Sequence, residues 1–195
     1  MKGFLAGVLI TLGAFVYLNV GGVIGALLFA FGIICVVKLG TPLYTGVAGT
    51  DMKFTDKLLV LLQNILGALV TALLLIVPAK PEVIETARSI AAAKVLSGWM
   101  TTLVKAFMCG VIVDISVFLS KKDGSVIPLI FGIPVFILCG FNHSIADVSY
   151  LIIGATSASV GLQMFLYYML CVVGNYAGCN LRRLCFHIDS LSKRV

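Results

Sequence analysis

The chain has 195 residues, of which 61% are hydrophobic and 11% charged, and its mean hydropathy is +1.14. Soluble domains are about half apolar and about one quarter charged, so this composition predicts an all-α polytopic membrane protein and leaves no room for a soluble catalytic domain. The net charge of +6 lies mainly in short connections, where it would set orientation, and it gives no reason to expect a nucleic-acid partner.

By the criterion of about 20 mostly apolar residues per crossing, the sequence predicts six transmembrane helices. The predicted spans are Phe4–Val20, Val23–Leu39, Leu58–Val77, about Ser97 to Leu119, the stretch from Val126 to about Ala158, and about Val160 to Asn180. Met1 and Lys2 before the first span resemble a signal peptide, but the second span follows so closely that we expect no cleavage.

The connections carry their own signals. Thr55 is predicted to be the N-cap of the third span, and Pro81 followed by acidic residues predicts a short surface helix. Lys121–Gly124 is predicted to form a tight turn, and residues 183–195 a basic C-terminal tail. The six cysteines fit neither a zinc site nor a disulfide framework, so we expect no metal and no cofactor.

Two of the predicted spans contain signals that interrupt a helix. Pro42 lacks an amide hydrogen and disfavours helix at Thr41, so Gly40–Gly46 is predicted to break the second span. In the fifth span, Gly140–Asp147 reads GFNHSIAD. Polar groups at membrane depth persist mainly where they line a water-filled path or pair with protein groups. We therefore predict a broken helix that carries the titratable ring of His143 inward; a histidine satisfied at a helix contact is the alternative.

The two halves of the chain echo each other. Asn64–Gly67 in the third span resembles Asn175–Gly178 in the sixth, so each half is a helix, a broken helix and a helix with Asn-x-x-Gly. Three spans per half predict two inverted repeats, about 1–78 and 95–182, within a single channel domain covering 1–195. Paired broken helices in corresponding positions indicate a central transport site.

Basic residues predict the orientation. With six spans, the side that holds both termini carries nine: Lys2, Lys53, Lys57, Lys121, Lys122, Arg182, Arg183, Lys193 and Arg194. The opposite side carries three: Lys80, Arg88 and Lys94. Cytoplasmic loops hold the Lys and Arg excess, so both termini are predicted to be cytoplasmic in a multi-pass protein of the plasma (inner) membrane.

At these positions the chain resembles the formate/nitrite transporter family, which also includes hydrosulfide channels. The motif GFNHSIAD, with Phe136 upstream, is similar to the family's fifth-helix signature. Leu43-Tyr44-Thr45 is similar to its Leu-Phe-Thr loop, and Gly174–Gly178 to its Gly-Asn-x-x-Gly. Lys94, sixteen residues before Gly110, falls where the family keeps a vestibule lysine.

The resemblance implies an aquaporin-like fold and a homopentamer in membrane lipid, with a pore in each subunit. The implied site residues are Leu43, Tyr44 and Phe136 as constrictions, His143, Thr45 and Asn175 at the centre, and Lys94 in the vestibule. Two departures stand out: Asn142 replaces the family's usual Glu, and Asp147 replaces its usual Asn.

The chemistry of this site favours transport of small monovalent anions of weak acids, namely formate, nitrite or hydrosulfide. A bare anion is costly to place in an apolar constriction, whereas its neutral acid is not. An imidazole, with a reference pKa of about 6.5, can supply the proton. We expect a channel and not an enzyme, with His143 as proton donor. Passive and proton-coupled transport both stay open, as does the physiological anion.

The sequence leaves other functions open. The main alternative is a water or neutral-solute channel with no anion step. A membrane-embedded enzyme that uses His143 with Asp147 or Asp114, and a purely structural membrane protein, are the others. We expect Asp147 to cap the second half of the broken helix.

Overall fold

A computed structural model describes residues 1–155 and 161–192, with side chains as far as residue 187. All regular structure in these ranges is helical. The helices are α1 Lys2–Val20, α2 Gly22–Lys38, α3 Tyr44–Val47, α4 Phe54–Ile76, α5 Pro81–Val95, α6 Trp99–Asp123, α7 Ile127–Leu138, α8 Ser144–Ile153 and α9 Leu162–Ser192. The predicted limits near 158 and 160, and residues 193–195 of the predicted tail, lie outside the described residues.

Within the described residues, three helices are long and apolar enough to cross a membrane: α1, α4 and α6, with 19, 23 and 25 residues. Three further apolar helices are shorter: α2, α7 and α8 have 17, 12 and 10 residues. A crossing helix needs about 20 residues, so α7 and α8 are each too short to cross alone.

Helices α2 and α7 end in the same backbone motif. Gly40 and Gly140 follow their last turns with φ values of +64° and +63°. Glycine adopts this left-handed conformation without strain. The next residue then donates back into the helix: Thr41 N to Val36 O at 3.1 Å, and Phe141 N to the corresponding carbonyl of α7 at 2.9 Å. This hydrogen-bond pattern satisfies a free carbonyl and stops the helix.

Glycines allow close helix contacts in both halves. A Cβ on Gly67 of α4 would lie 2.0 Å from the carbonyl oxygen of Phe4 in α1. A Cβ on Gly178 of α9 would lie equally close, at 2.0 Å, to that of Phe107 in α6. Since no larger residue fits at such a distance, these small residues fix how α1 packs on α4 and α6 on α9.

The structure bears on several predicted helix limits. The helix predicted to start at Pro81 is confirmed as α5. The N-cap prediction for Thr55 is wrong, because α4 begins at Phe54 and Thr55 lies in its first turn. The predicted turn at Lys121–Gly124 is also wrong: α6 continues to Asp123, and Gly124 ends it with a φ of +75°.

The predicted tail is helical as far as Ser192, because α9 continues well past Asn180. Two arginines tie this extension to the rest of the fold. Arg182 forms an ion pair with Asp114 at 2.7 Å, and Arg183 pairs with Asp51. The extension therefore has partners on α6 and on the connection before α4.

Candidate functional site

His143 is the N-cap of α8 and sits at the end of the loop formed by residues 139–143. Its Nδ1 accepts hydrogen bonds from the backbone amides of Ile145 and Ala146, both at 3.2 Å. A ring nitrogen that accepts carries no proton in a neutral imidazole, so the ring proton is on Nε2. Because Nδ1 is occupied by the cap, His143 presents its N–H at Nε2, on the opposite side of the ring.

Nε2 of His143 lies 3.0 Å from Oγ1 of Thr45, which is on the short helix α3. Thr45 is 0% and His143 1% exposed. This contact joins the two stretches predicted to interrupt helices, Gly40–Gly46 and Gly140–Asp147. The sequence predicted both residues at the centre of the site, and the structure places them together.

Aromatic packing covers one face of the imidazole. The ring of Phe136 is stacked on His143 with centroids 5.5 Å apart and planes 25° apart. Phe29 of α2 in turn packs edge-on against Phe136, with centroids 5.9 Å apart. These contacts fix the orientation of the histidine ring and keep its surroundings apolar.

Asn175 of α9 holds the segment around His143. Its Oδ1 accepts from the amide of Ser144, the first residue of α8, at 2.8 Å. Its Nδ2 donates to the carbonyl oxygens of Asn142 and Ala106, both at 2.8 Å. In this structure the predicted pore residue Asn175 therefore satisfies backbone groups on both sides of His143.

Asn64 of α4 makes the matching set of bonds in the first half. Its Oδ1 accepts from the amide of Tyr44, the first residue of α3, at 2.7 Å. Its Nδ2 donates to the carbonyls of Pro42 at 3.0 Å and Gly3 at 2.8 Å. The sequence showed Asn64 only as part of the Asn-x-x-Gly echo, and the site prediction omitted it.

Two small cavities lie next to the chain segments that carry Thr45 and His143. The first, of about 170 Å³, is lined by Leu43, Pro42 and Lys121, among others. The second, of about 110 Å³, is lined by Phe136, Phe141 and Lys94, among others. Neither His143 nor Thr45 lines either cavity, so the contact between them is closed off from both.

Tyr44 was predicted to be a constriction residue together with Leu43. Its side chain is buried, and its hydroxyl donates to the carbonyl of Val172 at 3.4 Å. Leu43 lines the first cavity, whereas Tyr44 lines neither of the two. In this structure Tyr44 joins α3 to α9.

Lys94 lies in the last turn of α5 and reaches the loop before His143. Its Nζ lies 3.0 Å from Oδ1 of Asp147 and 2.9 Å from Oδ1 of Asn142. The prediction that Asp147 caps α8 is wrong, because His143 is the cap and Asp147 binds Lys94 instead. The other oxygen of Asp147 accepts from the hydroxyl of Tyr167 at 2.6 Å. Tyr167 gave no sequence signal, since one more tyrosine in an apolar span is unremarkable.

The other end of α3 is held by polar side chains. Nζ of Lys57 donates to the carbonyls of Ala48 and Thr50, both at 2.8 Å. Asn180 also donates to Ala48 O, at 3.1 Å. The carbonyls left free at the end of a short helix are therefore satisfied. These bonds hold the C-terminal end of α3, the helix that carries Thr45. Over residues 1–155 and 161–192, no group of three or more His, Cys, Asp or Glu could hold a metal ion.

Helices that are long and apolar enough to cross a membrane, and a buried histidine where two short helices meet, are features of a membrane transport protein. The sequence matches the family model described as "Formate/nitrite transporter" over residues 1–186, and the chain therefore belongs to that family. Among curated proteins, a search finds no match.

Solved structures show the same fold. A structure described as "Pentameric formate channel with formate bound" has a TM-score of 0.84 and 18% identity, and the alignment covers 96% of this chain and 94% of that one. A second, described as "FNT family ion channel", has a TM-score of 0.80 and 17% identity, with coverages of 92% and 84%.

Proposed function

We propose that the chain is a channel for small monovalent anions of weak acids (formate, nitrite or hydrosulfide), which cross as the neutral acid with His143 as proton donor. The observation that carries the proposal is the buried contact of 3.0 Å between His143 Nε2 and Thr45 Oγ1, with a cavity beside each of the two segments that supply these residues. Family membership supports anion transport, and the structurally similar formate channel makes formate the first anion to test.

The hydrogen bonds of His143 suggest how the proton moves. An anion that reaches Thr45 meets the N–H on Nε2. If the ring gave up this proton from its neutral form, it would become an anion, so Nδ1 must first gain a proton from the solvent; the ring then returns to neutral when Nε2 passes its proton to the anion. That proton displaces the two cap hydrogen bonds from the amides at the start of α8. Proton transfer therefore requires the first turn of α8 to loosen briefly. The neutral acid then leaves.

Within the same proposal, α2 with α3 forms one interrupted span and α7 with α8 another, giving six crossings in two inverted repeats. The shared glycine motif at Gly40 and Gly140 and the matching bonds of Asn64 and Asn175 support this relation. Leu43 and Phe136 form the apolar constrictions on either side of His143.

We further propose a homopentamer in the inner membrane, with both termini cytoplasmic. The similar formate channel is described as pentameric, and the excess of basic residues near the predicted terminal side supports the orientation. Native mass spectrometry of the detergent-solubilised chain should give five copies. A stable monomer or tetramer would contradict the assembly.

Uptake into liposomes tests the function. The wild-type chain should carry at least one anion from a panel of formate, nitrite, hydrosulfide and lactate, and proton uptake should accompany the anion. A channel for water or neutral solutes is the second candidate, favoured by one observation: the charge of Lys94 is balanced by Asp147. Water permeability without flux of any of these anions would select that function and reject ours.

A further inference from the structure

Each of the three N–H donors of the Lys94 ammonium group has an oxygen partner. Its Nζ lies within hydrogen-bond distance of three oxygens: Asn142 Oδ1 at 2.9 Å, Asp147 Oδ1 at 3.0 Å and Phe141 O at 3.2 Å. A lysine ammonium has three N–H donors and no acceptor, so these contacts use its full capacity. Only 12% of the side chain is exposed. An anion that bound here would have to displace one of the three oxygens.

Asp147 is the fixed counter-ion of this lysine. Its side chain is 1% exposed. The oxygen that does not face Lys94 accepts from Tyr167 at 2.6 Å and faces Sγ of Cys171 at 3.6 Å. A carboxylate this deeply buried requires a cation beside it, because an unpaired buried charge is strongly unfavourable. The positive charge of Lys94 is therefore balanced where it lies.

The same ammonium holds the residues that precede His143. Phe141 and Asn142 are consecutive, and Lys94 binds the first through its carbonyl and the second through its side chain. The amide nitrogen of the Asn142 side chain donates to Thr102 O at 3.3 Å, on the other side of the loop. The loop 139–143 is thus tied to α5 on one side and to α6 on the other.

We propose that Lys94 is a positioning residue: with Asp147 as its buried counter-ion, it fixes the loop 139–143 and so the ring of His143, and it does not bind the transported anion. This inference rests on the proposed function and gives the lysine a task different from the anion capture that the family resemblance implies. The carboxylate of Asp147 and the amide of Asn142 both touch Lys94 Nζ, so the two groups can be exchanged, at the loss of the bond from Asn142 Nδ2 to Thr102 O.

Three variants of the full chain test the proposal. Asp147→Asn removes the counter-ion but keeps the side-chain shape. The exchange Asn142→Asp with Asp147→Asn returns one carboxylate to the ammonium. Lys105→Gln is the matched control, because it removes another lysine charge close to the same loop. Lys105 Nζ lies 4.0 Å from where a Cβ on Gly140 would be. Its side chain makes no hydrogen bond or ion pair within the described part of the chain.

Formate uptake into liposomes, measured against formate concentration at low and high salt, separates the two tasks. If Lys94 positions the loop, Asp147→Asn lowers the maximal rate about tenfold or more without changing the half-saturating concentration. The exchange variant restores part of the rate, because it regains the ion pair but lacks the bond from residue 142 to Thr102 O, and Lys105→Gln leaves the rate unchanged. If Lys94 captures anions, Asp147→Asn instead unmasks its charge: the half-saturating concentration falls, more at low salt, and the maximal rate stays. That result overturns the proposal.

A second readout needs no transport. The chain has only two histidines, His143 and His187, so a sample labelled with ¹⁵N-histidine gives few ring signals. The spectrum of His143→Asn assigns them. We expect one N–H and one acceptor nitrogen for His143 in the wild type, a mixture in Asp147→Asn, and recovery in the exchange variant.

The two readouts separate the two proposals. A wild type that carries none of the anions in the panel would reject the proposed function, while these nitrogen signals would still test the position of the ring. Unchanged signals in Asp147→Asn, or an exchange variant that stays as impaired as Asp147→Asn although it is assembled like the wild type, would overturn the role of Lys94.

Discussion

Asn64 and Asn175 make the same hydrogen bonds in the two halves of the chain. Each side-chain oxygen accepts from the first amide of a short helix, α3 or α8, at 2.7 and 2.8 Å. Each side-chain nitrogen donates to the carbonyl two residues before that helix and to a carbonyl of the first long helix of its half. One amide thus joins three segments in each half, and the two sites together fix Thr45 and His143.

Replacing either asparagine should destabilise the fold by a similar amount. Asn64→Ala and Asn175→Ala each remove three hydrogen bonds and leave two backbone groups without a partner, namely the first amide of the short helix and the loop carbonyl before it, at about 1–3 kcal/mol per group. Thermal unfolding in detergent should show a large decrease in midpoint for both variants. Asn19→Ala is the control, because Asn19 makes one exposed bond to Phe15 O and its loss should have little effect. A much larger effect for one of the two buried asparagines would contradict their equivalence.

The ion pair between Asp114 and Arg182 should contribute far more than the pair between Asp51 and Arg183. Asp114 is 4% exposed, whereas Asp51 is 87% exposed. Arg182→Ala leaves a buried charge unpaired and should cost about 3–5 kcal/mol. Arg183→Ala should cost no more than about 1 kcal/mol.

A double substitution separates charge from packing in the buried pair. Asp114→Asn combined with Arg182→Gln removes both charges, so it should be more stable than Arg182→Ala alone. Chemical unfolding of the three variants measures the difference. Equal losses for Arg182→Ala and Arg183→Ala would show that burial does not decide these energies.

Orientation can be tested with reporter fusions. A fusion after Val195 should report a cytoplasmic position, and one inserted at Pro78, before α5, should report the opposite side. The insertion point follows from the structure, since residues 81–95 form a helix that an insertion would disrupt. The same reading at both positions would remove the six-span arrangement.

The sequence predicted those parts of the site that produce a local signal. Polar residues in GFNHSIAD stand out against an apolar background, and Pro42 marks the other interruption. Asn64 and Asn175 share a motif with glycines that are needed for close helix contact. The transport roles of Leu43, Phe136, Thr45 and Asn175 stay predictions.

The contacts made by long side chains could not be predicted in the same way. Lys94 and Asp147 are far apart in sequence, and they meet because α5 packs on α8. From the sequence alone, an aspartate in the first turn of a helix fits a capping role equally well. The pairing of Arg182 with Asp114 could not be predicted either, since it depends on how α9 lies along α6.

Replacement of His143 is the most direct test of the central claim that this ring supplies the proton for anion transport. Asparagine is a good N-cap residue, so His143→Asn should keep the start of α8 intact while removing the titratable ring. His143→Phe removes both the cap and the N–H that faces Thr45. Each variant is first checked for assembly like the wild type, and formate uptake into liposomes is then measured between about pH 5 and pH 8, where histidines commonly change charge. We predict that wild-type uptake rises as the pH falls, that His143→Asn keeps some uptake without this pH profile, and that His143→Phe has none. Uptake by His143→Phe with the wild-type rate and pH profile would contradict the account and make His143 a packing residue.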